Sequence, residues 1–295
     1  MITIKNYISM IYDDFREYID QNVNLCMLKT LNYQAGQKPD YSDIHIQQLY
    51  LLRYVFSYAF EYKSMFDTLF AREKFKDSIE VASIGCGNMI DYWGLVEALG
   101  EIGSGECYIK YRGIDTIDWN YKIEAREKDE VKFTKVNAAT IFQKTSTLIY
   151  NVYIFPKSIS ELDDEEIEAI CNVWREKGIE NEEVSLLFAM RFTDGNMLSD
   201  FKKAEKLCSA LSSVGMKCTN NTIVDGVREK VYNLDRDFDE NIWWNVYNML
   251  KRLPIMCKKY TNALCNCNLC MENRNLPIGY NSYMKLKVFT FRKAA

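Results

Sequence analysis

The sequence predicts an α/β protein in which a mostly parallel sheet carries helices on both faces and a layer of helices precedes it. Three observations support this. From residue 79 onward, short apolar runs alternate with helical patterns, the texture of parallel strands joined by crossover helices. Residues 42–76 place apolar side chains on more than one helical face, as in a helix buried inside a protein. With 48% hydrophobic and 26% charged residues the chain can bury a full core, and four prolines and 13 glycines exclude collagen-like and low-complexity classes.

Element by element, Tyr7, Ile8, Ile11, Tyr12, Phe15 and Ile19 recur at three- and four-residue spacings, predicting one or two helices up to about residue 40, where Gly36, Lys38 and Pro39 interrupt. Ser42 and Asp43 supply helix-start chemistry for the long helix, which is expected to end near Lys76. Candidate strands are 81–84, 108–114, 131–136, 147–155, 184–192, 216–224 and 284–291. Between them fall a helix capped by Ser160 or Asp163, with acids at 163–166 suited to its positive end, and helices at 197–214 and 239–253, the last stopped by Pro254. There is no internal repeat. The expected organisation is a helical layer over 1–77 packed on a sheet domain over 78–295, with a Cys-rich insertion at about 254–277.

Composition also narrows the chemistry. No stretch approaches the ~18 apolar residues of a membrane span, and no signal-type apolar segment opens the chain, so a cytoplasmic protein without membrane contact is expected. Ten cysteines in such a chain predict reduced thiols or a metal site. The single histidine, His45, leaves little material for Ser-His-Asp catalysis or a multi-histidine metal site. Net charge is −4, but nine basic residues against one acid between Asn245 and Ala295 give that stretch +8 and leave −12 on the rest. Such segregation fits contact with a polyanion and equally fits a strand and helix that expose lysines.

The segment richest in chemistry is Ile79-Glu-Val-Ala-Ser-Ile-Gly-Cys-Gly-Asn-Met-Ile-Asp-Tyr-Trp-Gly-Leu95. A buried strand ends at Ile84, a turn passes through Gly85 and Gly87, where a ligand can touch the backbone, and a helix follows within a few residues. About 30 residues on, Tyr111-Arg-Gly-Ile-Asp115 is an apolar strand ending in an acid. A nicotinamide dinucleotide site would need a third glycine at position 90, which is Ile. Over residues 79 to about 195 the chain resembles the class I S-adenosylmethionine-dependent methyltransferases, and Ser83, Gly85, Gly87, Asp91, Gly94 and Leu95 look like the subset with a Ser-x-Gly-x-Gly turn.

The resemblance implies a seven-stranded Rossmann-like sheet. It also implies a cofactor site of Ser83, Gly85, Cys86, Gly87 and Asp91, with Asp115 accepting from the ribose hydroxyls and Asn137 meeting the adenine amino group. Arg53 or Tyr62, on the helix before the first strand, would meet the cofactor carboxylate. Two departures stand out: Ser83 replaces the usual acid, and Phe155-Pro156-Lys157-Ser158 replaces the Asn/Asp-Pro-Pro-aromatic motif of amino-methylating members. Ser158, Ser160 and Glu161 are the groups placed to touch substrate, Glu161 as base. Their alternative role is to cap and charge the next helix.

Cys257, Cys265, Cys267 and Cys270 put four thiols within 14 residues, enough for a tetrahedral zinc site, with Cys218 as an alternative source of one ligand. An iron–sulfur cluster and free thiols are the alternatives. The expected function is methyl transfer from S-adenosylmethionine to a nucleic acid or another large anion. A small-molecule methyltransferase and a non-catalytic cofactor-binding subunit are the other readings.

Overall fold

The computed structural model describes residues 3–21, 25, 28, 39–73, 75, 77–143, 149–191, 197–225, 240–256, 276–279 and 284–294 of the 295-residue chain. Its strands are β1 (Ser78–Ile84), β2 (Tyr108–Asp115), β3 (Glu130–Lys135), β4 (Val152–Pro156), β5 (Glu183–Arg191), β6 (Met216–Asp225) and β7 (Met284–Lys293). Its helices are α1 (Ile4–Gln21), α2 (Ile44–Phe70), α3 (Ile90–Glu101), α4 (Ala138–Gln143), α5 (Asp164–Lys177), α6 (Met197–Ser213) and α7 (Glu240–Met256).

The strands form one seven-stranded sheet in the order β3-β2-β1-β4-β5-β7-β6. The first five neighbours pair in parallel, and β7 runs antiparallel between β5 and β6. This is the doubly wound, Rossmann-like sheet expected from the sequence. Strand order reverses between β1 and β4, and it is outside the carboxyl ends of strands at such a point that open sheets bind ligands.

Side-chain alternation along the strands builds two cores. On one face Ala82, Ile84, Ile114, Tyr153 and Phe155 pack with Ile167, Ile170 and Trp174 of α5 and Leu207 and Leu211 of α6. On the other, Tyr111 meets α3 through Asp91 and edge-on to the Tyr92 ring. Two glycines exist to let elements approach. A Cβ at Gly94 of α3 would lie 2.7 Å from the backbone nitrogen of Lys63 in α2, and one at Gly113 of β2 would lie 2.8 Å from the Cys86 sulfur.

Element ends follow local chemistry. Asp43 starts α2, its carboxylate accepting from the N–H groups of His45 and Ile46, while Ser42 turns back to Asp40. Of the two caps offered for α5, Asp163 is used: its carboxylate accepts from Glu166 N–H, and Glu166 accepts from Asp163 N–H, a complete capping box. Three expectations need correction. α2 stops at Phe70 rather than near Lys76. α7 continues past Pro254 to Met256, so the proline stands within the last turn. Among the described residues β4 begins at Val152, and just before it the Asn151 side chain accepts from the Glu80 N–H at 2.9 Å; position 147 lies outside the described residues.

Packing sorts the chain into two compact units that interleave in sequence. One holds Met1–Tyr58, Trp119–Glu124 and Lys230–Tyr280, the other Ala59–Asp118, Ala125–Glu229 and Asn281–Ala295. The division thus falls within α2, whereas the sequence, judged by element type, suggested one near residue 77. In the first unit Tyr121 is the tie: its hydroxyl donates to Asp14 and accepts from Gln48, and its carbonyl accepts from the Tyr7 hydroxyl. Among the described residues no helix is long and apolar enough to cross a membrane. The cluster Cys257, Cys265, Cys267 and Cys270 lies outside the described residues, and among those described no group of side chains could hold a metal ion.

The capping box yields a stability prediction. Asp163→Ala removes one half of a reciprocal pair at the start of α5 and should lower unfolding free energy by about 1 kcal/mol, read as a lower urea midpoint at unchanged slope.

Candidate functional site

The carboxyl ends of β1, β2 and β4 meet at a dense set of backbone turns. Gly85 and Gly87 have φ of 69° and 54°, the left-handed region that glycine enters freely. Gly85 and Cys86 both donate their N–H to the Ile114 carbonyl, which holds the turn over the end of β2. A Cβ on Gly85 would lie 2.3 Å from the Ser158 Cβ, so the loop after β4 also closes on this point.

Asp115, half-buried at the end of β2, ties the turn down. One carboxylate oxygen accepts from Gly87 N–H at 2.8 Å and the other from Ile117 N–H at 2.8 Å. Glycine turn, strand-end acid and topological switch point coincide, in a sheet of order 3-2-1-4-5-7-6. The sheet, mostly parallel with its antiparallel last strand set next to the edge, is the Rossmann-like fold expected from the sequence.

Solved methyltransferase structures are similar to it at low identity. A SAM-dependent methyltransferase from Archaeoglobus fulgidus is 14% identical, with a TM-score of 0.41 over 80% of this chain and 94% of that one. A cyclopropane-fatty-acyl-phospholipid synthase-like protein from Lactobacillus casei is 10% identical, with a TM-score of 0.42 over 80% and 92%. The plantazolicin methyltransferase BpumL in complex with SAH is 12% identical, with a TM-score of 0.38 over 97% and 100%. No family model matches the chain, and none of the curated proteins matches its sequence.

In this Rossmann-like fold the remaining sequence-assigned residues take definite places. Asp91, in the first turn of α3, is fully buried, and both its oxygens lie 2.9 Å from the Tyr111 hydroxyl, which donates to them. Burial pushes its carboxyl up to about 6 against the lowering influence of the Ser83 and Tyr111 hydroxyls. The Ser83 hydroxyl, also fully buried, has no partner at good hydrogen-bond geometry. Asp91 is therefore engaged inside the fold, beneath the glycine turn. Cys86 is buried there too, under Gly113.

Asn137 starts α4: its Oδ1 accepts from Ala139 N–H, and its amide donates to Glu166. Tyr62 is buried against Gly94 and has the Lys157 ammonium 5.9 Å from its ring centroid. Arg53 belongs to the other compact unit, where its guanidinium lies 5.0 Å from the Tyr54 ring and its carbonyl accepts from Ile278 N–H.

The β4–α5 loop is laced from several directions. Ser158 donates its hydroxyl to the Ile84 carbonyl, Ser160 donates to the buried Asp200 at 2.7 Å, and the Lys203 ammonium donates to the carbonyls of Ile159 and Leu162. Glu161 stands exposed, its N–H on the Ser158 carbonyl. The two serines thus hold the loop, and neither caps α5.

One feature escaped the sequence reading. Lys157, the residue after β4, has φ of 64° and forms an ion pair with Glu61 of α2, the side chains 6% and 3% exposed. The partners are far apart in sequence, and the lysine's place between Pro156 and Ser158 was the available signal.

Asp91 gives a pH-dependent prediction. Between about pH 4 and 6 the folded protein holds a proton on Asp91 that the unfolded chain has released, so this group's contribution to stability falls as pH rises through that window. At pH 7.5 the buried charge costs on the order of 3 kcal/mol. Asp91→Asn keeps an acceptor for Tyr111 and can donate to Ser83. It should raise the melting temperature at pH 7.5, with the gain shrinking towards pH 4. A constant difference across that range in calorimetry would refute the assignment.

Proposed function

We propose that this protein transfers a methyl group from S-adenosylmethionine to a small-molecule acceptor. The observation that carries this reading is the Asp115 carboxylate, fixed by the Gly87 and Ile117 N–H groups at the end of β2, beside the glycine turn and at the switch point of the sheet. The residues present fit the cofactor: Asp115 is a strand-end carboxylate of the kind that accepts from a ribose diol, and the Gly85–Gly87 turn admits a ligand against backbone.

When bound, S-adenosylmethionine supplies a methyl on a positively charged sulfur, already activated for attack. The chain's work is alignment and proton removal. Asp115 orients the nucleoside by its hydroxyls, and Asn137 is assigned to its base. The loop after β4, held rigid by Ser158, Ser160 and Lys203, forms the wall on the acceptor side. Glu161, exposed on that wall, is assigned to accept the acceptor's proton.

A small acceptor is favoured over nucleic acid by the state of the basic segment. Arg292 is bound by Glu73 and Glu183, Lys293 by Glu182 and the Glu180 carbonyl, and Lys287 lies 4.4 Å from the Phe201 ring centroid. Arg292 and Lys293 thus already have acidic partners, which compete with any phosphate for them.

Two measurements follow. Asp115→Asn keeps one acceptor for the turn but loses the charge, and should weaken S-adenosylmethionine in isothermal titration by about tenfold or more, with the circular dichroism spectrum unchanged. An unaltered affinity in the folded variant would remove Asp115 from the site. In anisotropy assays with RNA and DNA pools, the chain should show no binding with the steep salt slope of phosphate neutralisation. Binding that falls steeply with salt would restore the nucleic-acid reading.

A further inference from the structure

The Glu61–Lys157 pair is a place where the molecule accepts two unfavourable features together. Both charges are withdrawn from water, and a buried pair of this kind is often no more stable than apolar side chains of similar size would be. Lys157 also adopts left-handed backbone, which a residue with a Cβ enters only when its surroundings impose it. Its surroundings do: Pro156 ends β4 before it, and Ser158 after it is pinned to the Ile84 carbonyl and pressed against Gly85. The lysine is held one residue from the glycine turn, and Glu61 is brought to it by α2, whose next residues, Tyr62 and Lys63, lie directly on Gly94 of α3.

This position matters because the cofactor of the proposed reaction ends in an amino acid, with one ammonium and one carboxylate. The carboxylates near the turn can be taken in order. Position 83 is serine. Asp91 is fully buried and engaged by Tyr111. Asp115, held by Gly87 and Ile117 at the end of β2, is assigned to the ribose. Glu61 remains, beside a cation of matching burial. The two side chains set a carboxylate and an ammonium next to each other beside the glycine turn, the charge pattern complementary to an amino acid's own ammonium and carboxylate.

We propose that the Glu61–Lys157 pair holds the amino acid end of S-adenosylmethionine, Glu61 taking the ammonium and Lys157 the carboxylate. This rests on the methyltransferase reading. The charges that receive the zwitterion come from α2 and the β4–α5 loop instead of from β1, which is why Ser83 can stand where an acid is usual.

The test uses three probes in isothermal titration with the full chain: S-adenosylmethionine, S-adenosylhomocysteine and 5′-methylthioadenosine, which keeps the nucleoside and lacks the amino acid. Glu61→Gln should weaken the first two alike, by about tenfold or more, and leave 5′-methylthioadenosine within about twofold. Lys157→Asn, chosen because asparagine tolerates the left-handed backbone, should do the same. The double variant Glu61→Gln/Lys157→Asn leaves no lone buried charge, so it separates lost binding from lost folding, and circular dichroism and melting checks accompany it. Loss confined to S-adenosylmethionine would mean that Glu61 faces the sulfonium charge, and equal loss of all three probes would mean a structural pair. Either result overturns the proposal while the methyltransferase reading stands. A wild-type chain that binds none of the three overturns both.

Discussion

The carboxyl edge of the sheet is organised around one close approach. Gly85 lies against Ser158 with room for a hydrogen and nothing larger, and the Ser158 hydroxyl is spent on the carbonyl of the preceding residue, Ile84. Through this contact the turn after β1 and the loop after β4 define each other's path. The same turn is bound to β2 by the Ile114 carbonyl and the Asp115 carboxylate. Three strand ends are thereby locked into one rigid rim, and rigidity is what a site working by alignment requires.

Around that rim the fold tolerates charge where an apolar interior would be simpler. Asp91 is ionisable and fully buried, and Glu61 and Lys157 are withdrawn together from water. Structural acids elsewhere behave differently. Asp129, for example, is clamped by Arg126 in a bidentate pair that also gathers the Gly105 and Cys107 carbonyls. That clamp explains itself by the hydrogen bonds it completes, joining the approach to β3 onto the approach to β2. At the rim, Asp91 and both members of the Glu61–Lys157 pair are withdrawn from water almost completely.

Much of this was legible in the sequence, and the reasons differ by feature. The central strands β1, β4 and β5 were readable because parallel strands buried on both faces must be continuous apolar runs, and the others by their runs of β-type residues. The glycine turn and Asp115 were readable because they are local: a strand end, two small residues and an acid at short range. What a local pattern cannot carry is partnership. Asp91 looked available to a ligand, but its engagement depends on Tyr111 standing on the adjacent strand. Ser160 looked like a cap, but Asp200 of α6 claims its hydroxyl and the capping box passes to Asp163. Asn137 has local helix-start chemistry and a distant partner in Glu166, and only the first is written nearby. The basic character of the late segment was visible, whereas the acids that meet it, Glu73, Glu182 and Glu183, are supplied by elements far earlier in the chain.

The placement of β7 has a consequence for how the molecule is made. β6 pairs with β7 alone, and β5 has β7 as its second neighbour, so both strands wait for a segment that ends at Lys293. During synthesis the N-terminal strands can pair as they emerge, but β6 then presents two unpaired sides and β5 one, each a template for pairing with another chain. The sheet closes from its middle: β7 slides between two strands already present, antiparallel to both. Ribosome-bound intermediates should therefore carry their exposed backbone on the β5 and β6 side, and it is there that a chaperone would find them.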